Sequence, residues 1–211
     1  MSRPSIVERV RQTRRLLRSE GPPGVAARLL SRAAEALAPP SYDRLPVERT
    51  DLLRASEMAA EGSAMPGPIA WRPGEPLTIA WVCGPPGEGS GGHTTMFRVI
   101  AALQECGHRC AVYVYDRHGW EVGQHRRTVA AWWPWVNVEV RDLAAGIEDA
   151  HAVLATSWGT AYPVLTSPAK GARFYFVQDF EPWFYPAGGE AMLAEATYRF
   201  GFHGVAAGRW L

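Results

Sequence analysis

Leu77–Cys106 reads LTIAWVCGPPGEGSGGHTTMFRVIAALQEC, and its three-part composition decides the fold. Leu77–Cys83 is an apolar, partly β-branched run of strand length. Five glycines follow, Gly84, Gly87, Gly89, Gly91 and Gly92, and then Met96, Phe97, Val99, Ile100 and Leu103 recur on one side of a helix over Thr94–Cys106. A second strand follows at Arg109–Tyr115. Strand, glycine-rich turn, helix and strand form a unit that closes only as two parallel strands with a right-handed crossover. The alternation continues. A helix is expected near Gln124–Trp133, strands at Val136–Val140 and His151–Ala155, and a short helix including Tyr162–Thr166. A strand at Phe174–Val177, a helix at Glu190–Tyr198 and a last strand at Gly204–Ala207 complete the pattern. This predicts an α/β fold: a parallel sheet with helices on both faces.

The glycine loop also bears on chemistry. A backbone without side chains lets a phosphate or sugar approach closely, and its amides converge on a helix N-terminus whose dipole favours an anion. His93, Thr94 and Thr95 are placed to cap that helix or to reach the ligand. A dinucleotide-binding oxidoreductase needs G-x-G-x-x-G directly after the strand and an acid about twenty residues later. Asp116 supplies the acid, but the glycines run G-x-G-x-G-G and the turn is too long, so this alternative is the weaker one.

The second chemistry-bearing stretch is Phe174–Pro186, FYFVQDFEPWFYP. A buried strand turns abruptly into Gln178, Asp179 and Glu181 set among Phe180, Trp183, Phe184 and Tyr185. Carboxylates that accept hydroxyl hydrogen bonds, beside rings that cover apolar C–H faces, suit a sugar. The competing reading is a loop whose aromatics plug the domain.

The 211 residues suit one domain with an extension, or half of a two-domain enzyme. A formal net charge of +1 gives no reason to invoke nucleic acid. Cys83, Cys106 and Cys110 lack paired metal-ligand spacing, so no metal is expected and reduced thiols in a cytosolic protein are. No apolar run reaches the roughly 20 residues of a membrane span, and the N-terminus lacks the apolar core of a signal peptide. Residues 1–60 read as a helical, basic extension. Of the 22 basic residues in the chain only Lys170 is lysine, and five arginines lie within Ile6–Arg18, IVERVRQTRRLLR. Residues 5–18 therefore read either as a peripheral contact with anionic lipid at the inner face of the membrane or as a helix packed on the main domain. Residues 61–76, with Pro66, Pro68, Pro73 and Pro76, read as a linker, and a compact domain is expected over residues 77–211.

Four segments in order carry a family resemblance: Gly-Gly-His-Thr-Thr after the first strand, ATSWGTAYPV at Ala155–Val164, YFVQDFEPWFYP at Tyr175–Pro186 and YRFGFHGVAAGRWL at Tyr198–Leu211. Together they resemble the N-terminal, Rossmann-like half of a GT-B glycosyltransferase, similar to the bacterial WsaF-like rhamnosyltransferases and to glycosyltransferase family 4. The resemblance implies a half that binds the acceptor glycan, facing a C-terminal half that binds a nucleotide-sugar donor, with dTDP-rhamnose among the donors it suggests. That second half would follow Leu211, so the residues given are expected to be a fragment or an acceptor half that borrows its partner, holding no cofactor of their own. Gly91, Gly92 and His93, with Thr94, match the loop facing the donor phosphates. Ser157, Trp158 and Thr160 match the loop after the fourth strand, and Gln178, Asp179, Glu181, Trp183 and Tyr185 match the acceptor-binding segment after the fifth. Asp179 is the candidate general base for the acceptor hydroxyl. The rival reading is a polysaccharide-binding module without catalysis.

Overall fold

The computed structural model describes residues 45–209. Its elements are α1 (Arg49–Glu61), β1 (Thr78–Cys83), α2 (Gly91–Glu105), β2 (Arg109–Val114), α3 (Val122–Trp132), β3 (Glu139–Asp142), β4 (Ala152–Ala155), α4 (Trp158–Thr166), β5 (Ala172–Val177), α5 (Gly189–Thr197) and β6 (His203–Ala206). The six strands form one sheet in the order β3-β2-β1-β4-β5-β6, and every pairing is parallel. This is the expected α/β, Rossmann-like architecture.

Strand alternation divides the core between the two faces, because successive side chains point to opposite sides of a pleated sheet. Ile79, Trp81 and Cys83 of β1 join Val112, Val114, Leu154 and Phe176 on one face, where α2 contributes Met96, Phe97 and Ile100 and α3 contributes Val129. Ala80 and Val82 join Tyr113, Val153, Ala155 and Tyr175 on the other, under Ala161 and Val164 of α4. The strands buried on both faces read in the sequence as continuous apolar runs for this reason.

The compact unit begins at Leu45, well before Leu77. Leu45, Val47 and Ala55 are buried together with Trp158, Tyr162 and Ala194. The Glu48 amide donates to the Tyr115 hydroxyl at 2.6 Å, and that hydroxyl donates to Asp51 Oδ2 at 2.5 Å. Residues 45–60, expected to lie with the extension outside the sheet domain, are thus packed within its compact unit. The segment expected as a basic helix, residues 5–18, lies outside the described residues.

One connection is pinned by a buried cation. Arg173 on β5 is 4 % exposed, and its guanidinium donates to the carbonyls of Val164, Gly171, Ser167 and Ala169 at 2.7–3.0 Å. Burial pushes its pKa down, and the carbonyl ring satisfies donors that could not otherwise be left dry. Among the described residues no helix is long and apolar enough to cross a membrane.

Candidate functional site

The strand order reverses between β1 and β4, and in open parallel sheets ligands bind in the crevice at the carboxyl ends of the strands beside such a reversal. The loops after β1, β4 and β5 meet there. Thr156, just past β4, donates its hydroxyl to the Val82 carbonyl of β1 at 2.9 Å. A Cβ added at Gly92 would lie 3.3 Å from Gln178 Oε1, so the β5 loop rests on the first turn of α2. Glu181 Oε2 accepts the Trp158 amide at 2.8 Å, joining the β5 loop to the first turn of α4.

Within the glycine loop the cap is Ser90. Its hydroxyl accepts the His93 amide at 3.3 Å, and α2 begins at Gly91, so Gly91 and Gly92 are helical rather than loop residues. His93 turns inward: Nδ1 lies 2.8 Å from Ser90 Oγ, Nε2 lies 3.2 Å from the Gly84 carbonyl, and burial lowers its pKa. Thr94 donates to the Ser90 carbonyl and accepts the Trp133 indole N–H, both at 2.9 Å. Thr95 bonds back to Gly91. These hydroxyls close the first turn of α2 instead of projecting beyond it. Gly89 has φ +69°, a left-handed turn suited to glycine. At Gly84, Gly87 and Gly89 in the loop, and at Gly91 where α2 begins, an added Cβ would meet nothing within 4 Å, which leaves this outer surface open.

The residues after β4 form a support. Thr160 is 2 % exposed, and its hydroxyl accepts the amides of Thr156 and Ser157 at 3.0 Å each while donating to the Ser157 carbonyl. Trp158 is also 2 % exposed and donates its indole N–H to the Tyr185 hydroxyl at 2.9 Å. Trp158, Thr160 and Tyr185 therefore satisfy one another or their own backbone behind the lip, and of the three residues expected after β4 only Ser157 is half-buried. The short 3₁₀ turn Glu181–Phe184 then presents the lip itself. Trp183 is 78 % exposed with its ring edge-on to Phe180 at 5.3 Å, and Phe184 is exposed beside it. Asp179 Oδ1 accepts the Phe180 amide at 2.7 Å, and Gln178 and Asp179 are both half-buried. What remains facing outward is a short arc of Gln178, Asp179, Trp183 and Phe184 next to the bare glycine loop.

Glu181 differs from this arc. It is 8 % exposed, and burial raises its carboxyl to about 7, the Trp158 amide pulling it back down and the Asp179 charge adding to the rise.

The acid that a dinucleotide ribose would need is already committed. Asp116 Oδ1 accepts the His118 amide at 2.6 Å, and Oδ2 accepts the Trp120 amide and lies 2.8 Å from His125 Nε2. Burial alone would raise its pKa, but these bonds outweigh it and hold the carboxyl below its usual range. A cavity of about 350 Å³ lies elsewhere, between α1, the carboxyl ends of β2 and β3, and the end of α4. Its acids are also engaged: Glu48 pairs with Arg117, Asp51 with Tyr115, and Asp142 caps the Ala144 amide. Convergence of three loops therefore outweighs cavity size in locating the candidate site. Among the described residues no group of three or more His, Cys, Asp or Glu could hold a metal ion, and the three cysteines are free.

No family model matches the chain. It is similar to the O-antigen biosynthesis protein RfbC of Myxococcus xanthus, at 37% identity over 134 residues covering 61% of this chain and 10% of that protein. The chain thus spans about a tenth of the length of the curated relative it matches.

Sequence reasoning overlooked Ser90 and the segment at Leu45–Glu61 that braces α4. The cap was readable, since Ser90 stands three residues ahead of His93 at a helix start. The brace has no comparable signal, because only Ala55 of α1 is buried.

Proposed function

We propose that this chain is the acceptor-glycan-binding domain of a bacterial glycosyltransferase of rhamnosyltransferase type. The full enzyme would move a sugar from a nucleotide-sugar, dTDP-rhamnose among the candidates, to a cell-surface glycan. The observation that carries the reading is the meeting of the β1, β4 and β5 loops at the strand-order reversal, where an open glycine loop adjoins Asp179 and the exposed Trp183. Similarity to a protein named for O-antigen biosynthesis supports the direction. In this reading Gln178 and Asp179 hold acceptor hydroxyls, Trp183 covers a sugar face, and the donor's base and ribose are bound by a partner domain. Catalysis needs both halves. In the same reading Asp179 takes the acceptor proton, provided the hydroxyl comes within hydrogen-bond reach. The location proposed is cytosolic, with residues 5–18 as a peripheral membrane contact.

Calorimetry with delipidated O-polysaccharide from Myxococcus xanthus tests this. The chain should bind the polysaccharide and should not bind dTDP-rhamnose. Asp179→Asn should weaken binding about five- to ten-fold, as a charge-assisted hydrogen bond becomes a neutral one worth about 1 kcal/mol less. Trp183→Ala should weaken it through lost ring contact. Binding unaffected by either change would return the lip to a structural role.

A further inference from the structure

Glu181 lies in the lip sequence, yet its side chain is turned inward and buried. Its Oε2 accepts the Trp158 amide at 2.8 Å, and its own amide faces the Tyr198 hydroxyl at 3.4 Å. That hydroxyl donates to the Asp179 carbonyl at 3.0 Å. Four residues further on, Tyr185 accepts the Trp158 indole N–H. Trp158 is thereby gripped twice by the segment that carries the lip, once at its backbone and once at its ring. Of the two grips only the Glu181 carboxylate is charged. When ionised, a carboxylate on an α-helix's first-turn amide makes a charge-assisted bond reinforced by the helix dipole, but here burial of the charge outweighs that gain.

We propose that Glu181 is a positioning residue: by holding the Trp158 amide it fixes the β5 loop on α4 in the arrangement that presents Asp179 and Trp183 to a ligand. The proposal rests on the acceptor-binding reading for its function, but not for its geometry. The groups that face the Glu181 carboxyl are Tyr175 on β5, Asp179 on its own loop, Tyr198 beyond α5 and the Trp158 amide on α4. Burial raises both tyrosines, so across the neutral range they stay uncharged and Asp179 is the neighbouring charge. Because burial raises the Glu181 carboxyl to about 7, the latched arrangement holds the proton more tightly than an open, solvated one; a protonated Glu181 still accepts the Trp158 amide through its carbonyl oxygen, and the latch loosens as the carboxyl ionises through about pH 7. The position of the lip is therefore coupled to pH in the physiological range.

The test uses isotope-labelled protein. The Trp158 backbone amide resonance should move with a midpoint near pH 7, tracking the Glu181 side-chain carboxyl, and should stop moving in Glu181→Gln. Hydrogen exchange at the Phe180–Tyr185 amides should quicken at least ten-fold in Glu181→Ala and by less than three-fold in Glu181→Gln, which keeps an acceptor oxygen. Affinity for delipidated Myxococcus xanthus O-polysaccharide should fall with the same ranking. A Trp158 amide invariant between pH 5.5 and 8.5, or exchange in Glu181→Ala equal to wild type, would overturn the latch. If both signatures appear but no form of the protein binds the polysaccharide, the latch stands and the acceptor-binding reading fails.

Discussion

Replacing Gly159 with alanine sets two effects of opposite sign against each other. Gly159 lies in the first turn of α4, where helix propensity alone favours alanine by about 1 kcal/mol. The structure opposes this, because the new Cβ would sit 2.2 Å from the Pro46 carbonyl oxygen and 2.9 Å from its carbon. Both are backbone atoms and cannot swing aside as a side chain would. The chain at Leu45–Val47 must lift, or the start of α4 must retreat. Lifting exposes Val47, now 0 % accessible, and Leu45 at 8 %, each worth about 1.5–3 kcal/mol when fully buried. With partial exposure and the propensity gain subtracted, Gly159→Ala should destabilise by about 2–4 kcal/mol. For a chain of this size that lowers Tm by about 5–15 °C. Thermal unfolding followed by circular dichroism measures it. Gly123→Ala is the control, since a Cβ there meets only the end of the Arg127 side chain at 3.6 Å, and it should leave Tm unchanged or raise it. An unchanged or higher Tm for Gly159→Ala would show that the Pro46 contact does not hold the segment against α4.

Arg173→Met should cost about 3–5 kcal/mol, because it strands carbonyls now served by the guanidinium; chemical denaturation would show a lower midpoint, and an unchanged one would refute the role. Tyr115→Phe should cost about 1–3 kcal/mol, since the Glu48 amide and Asp51 both lose their partner, and proteolysis should nick the chain near α1 sooner than in wild type. Glu181 predicts a pH dependence of stability. Its folded pKa is raised from 4.5 to about 7, so the folded state holds the proton more tightly, and its stabilising effect is complete below about 4.5 and lost as pH rises through about 7. The change is on the order of 3 kcal/mol, and denaturation of Glu181→Gln should lack it, making the variant at least as stable as wild type at pH 8.

The sheet was legible because β1, β2 and β5 are buried on both faces and so spell their apolar runs without interruption. β3 was expected at Val136–Val140 but pairs over Glu139–Asp142. Val136 and Val138 pack against the core from outside the ladder, and burial without pairing mimics a strand. α4 was expected as a short helix including Tyr162–Thr166, and it begins at Trp158, running through Gly159 and Pro163, both poor helix formers. The Ser157 and Thr160 cap and the close approach of Pro46 override that propensity. At the site, the sequence grouped Trp158, Thr160, Glu181 and Tyr185 with the ligand-facing residues. Side-chain direction in irregular loops has no period to read, and only tertiary contacts separate the supporting group from Asp179 and Trp183.

The central position of β1 also sets an order of assembly. The Leu77 amide reaches His108 across 31 residues, whereas the Thr78 amide reaches His151 across 73. Closing the longer loop costs about 0.8 kcal/mol more in chain entropy, and it gains little until β4 is registered against a finished edge. The unit β1-α2-β2 is therefore favoured to close first, with β4 and then β5 added to it. Pulse-labelling of amides during refolding should protect Ile79–Val82 against β2 before the β4 amides, and simultaneous protection would refute the order. Because the three loops of the candidate site meet across the β1–β4 seam, the site comes into being with the late step. A nascent or partly unfolded chain with native-like helices would lack the assembled loop cluster altogether.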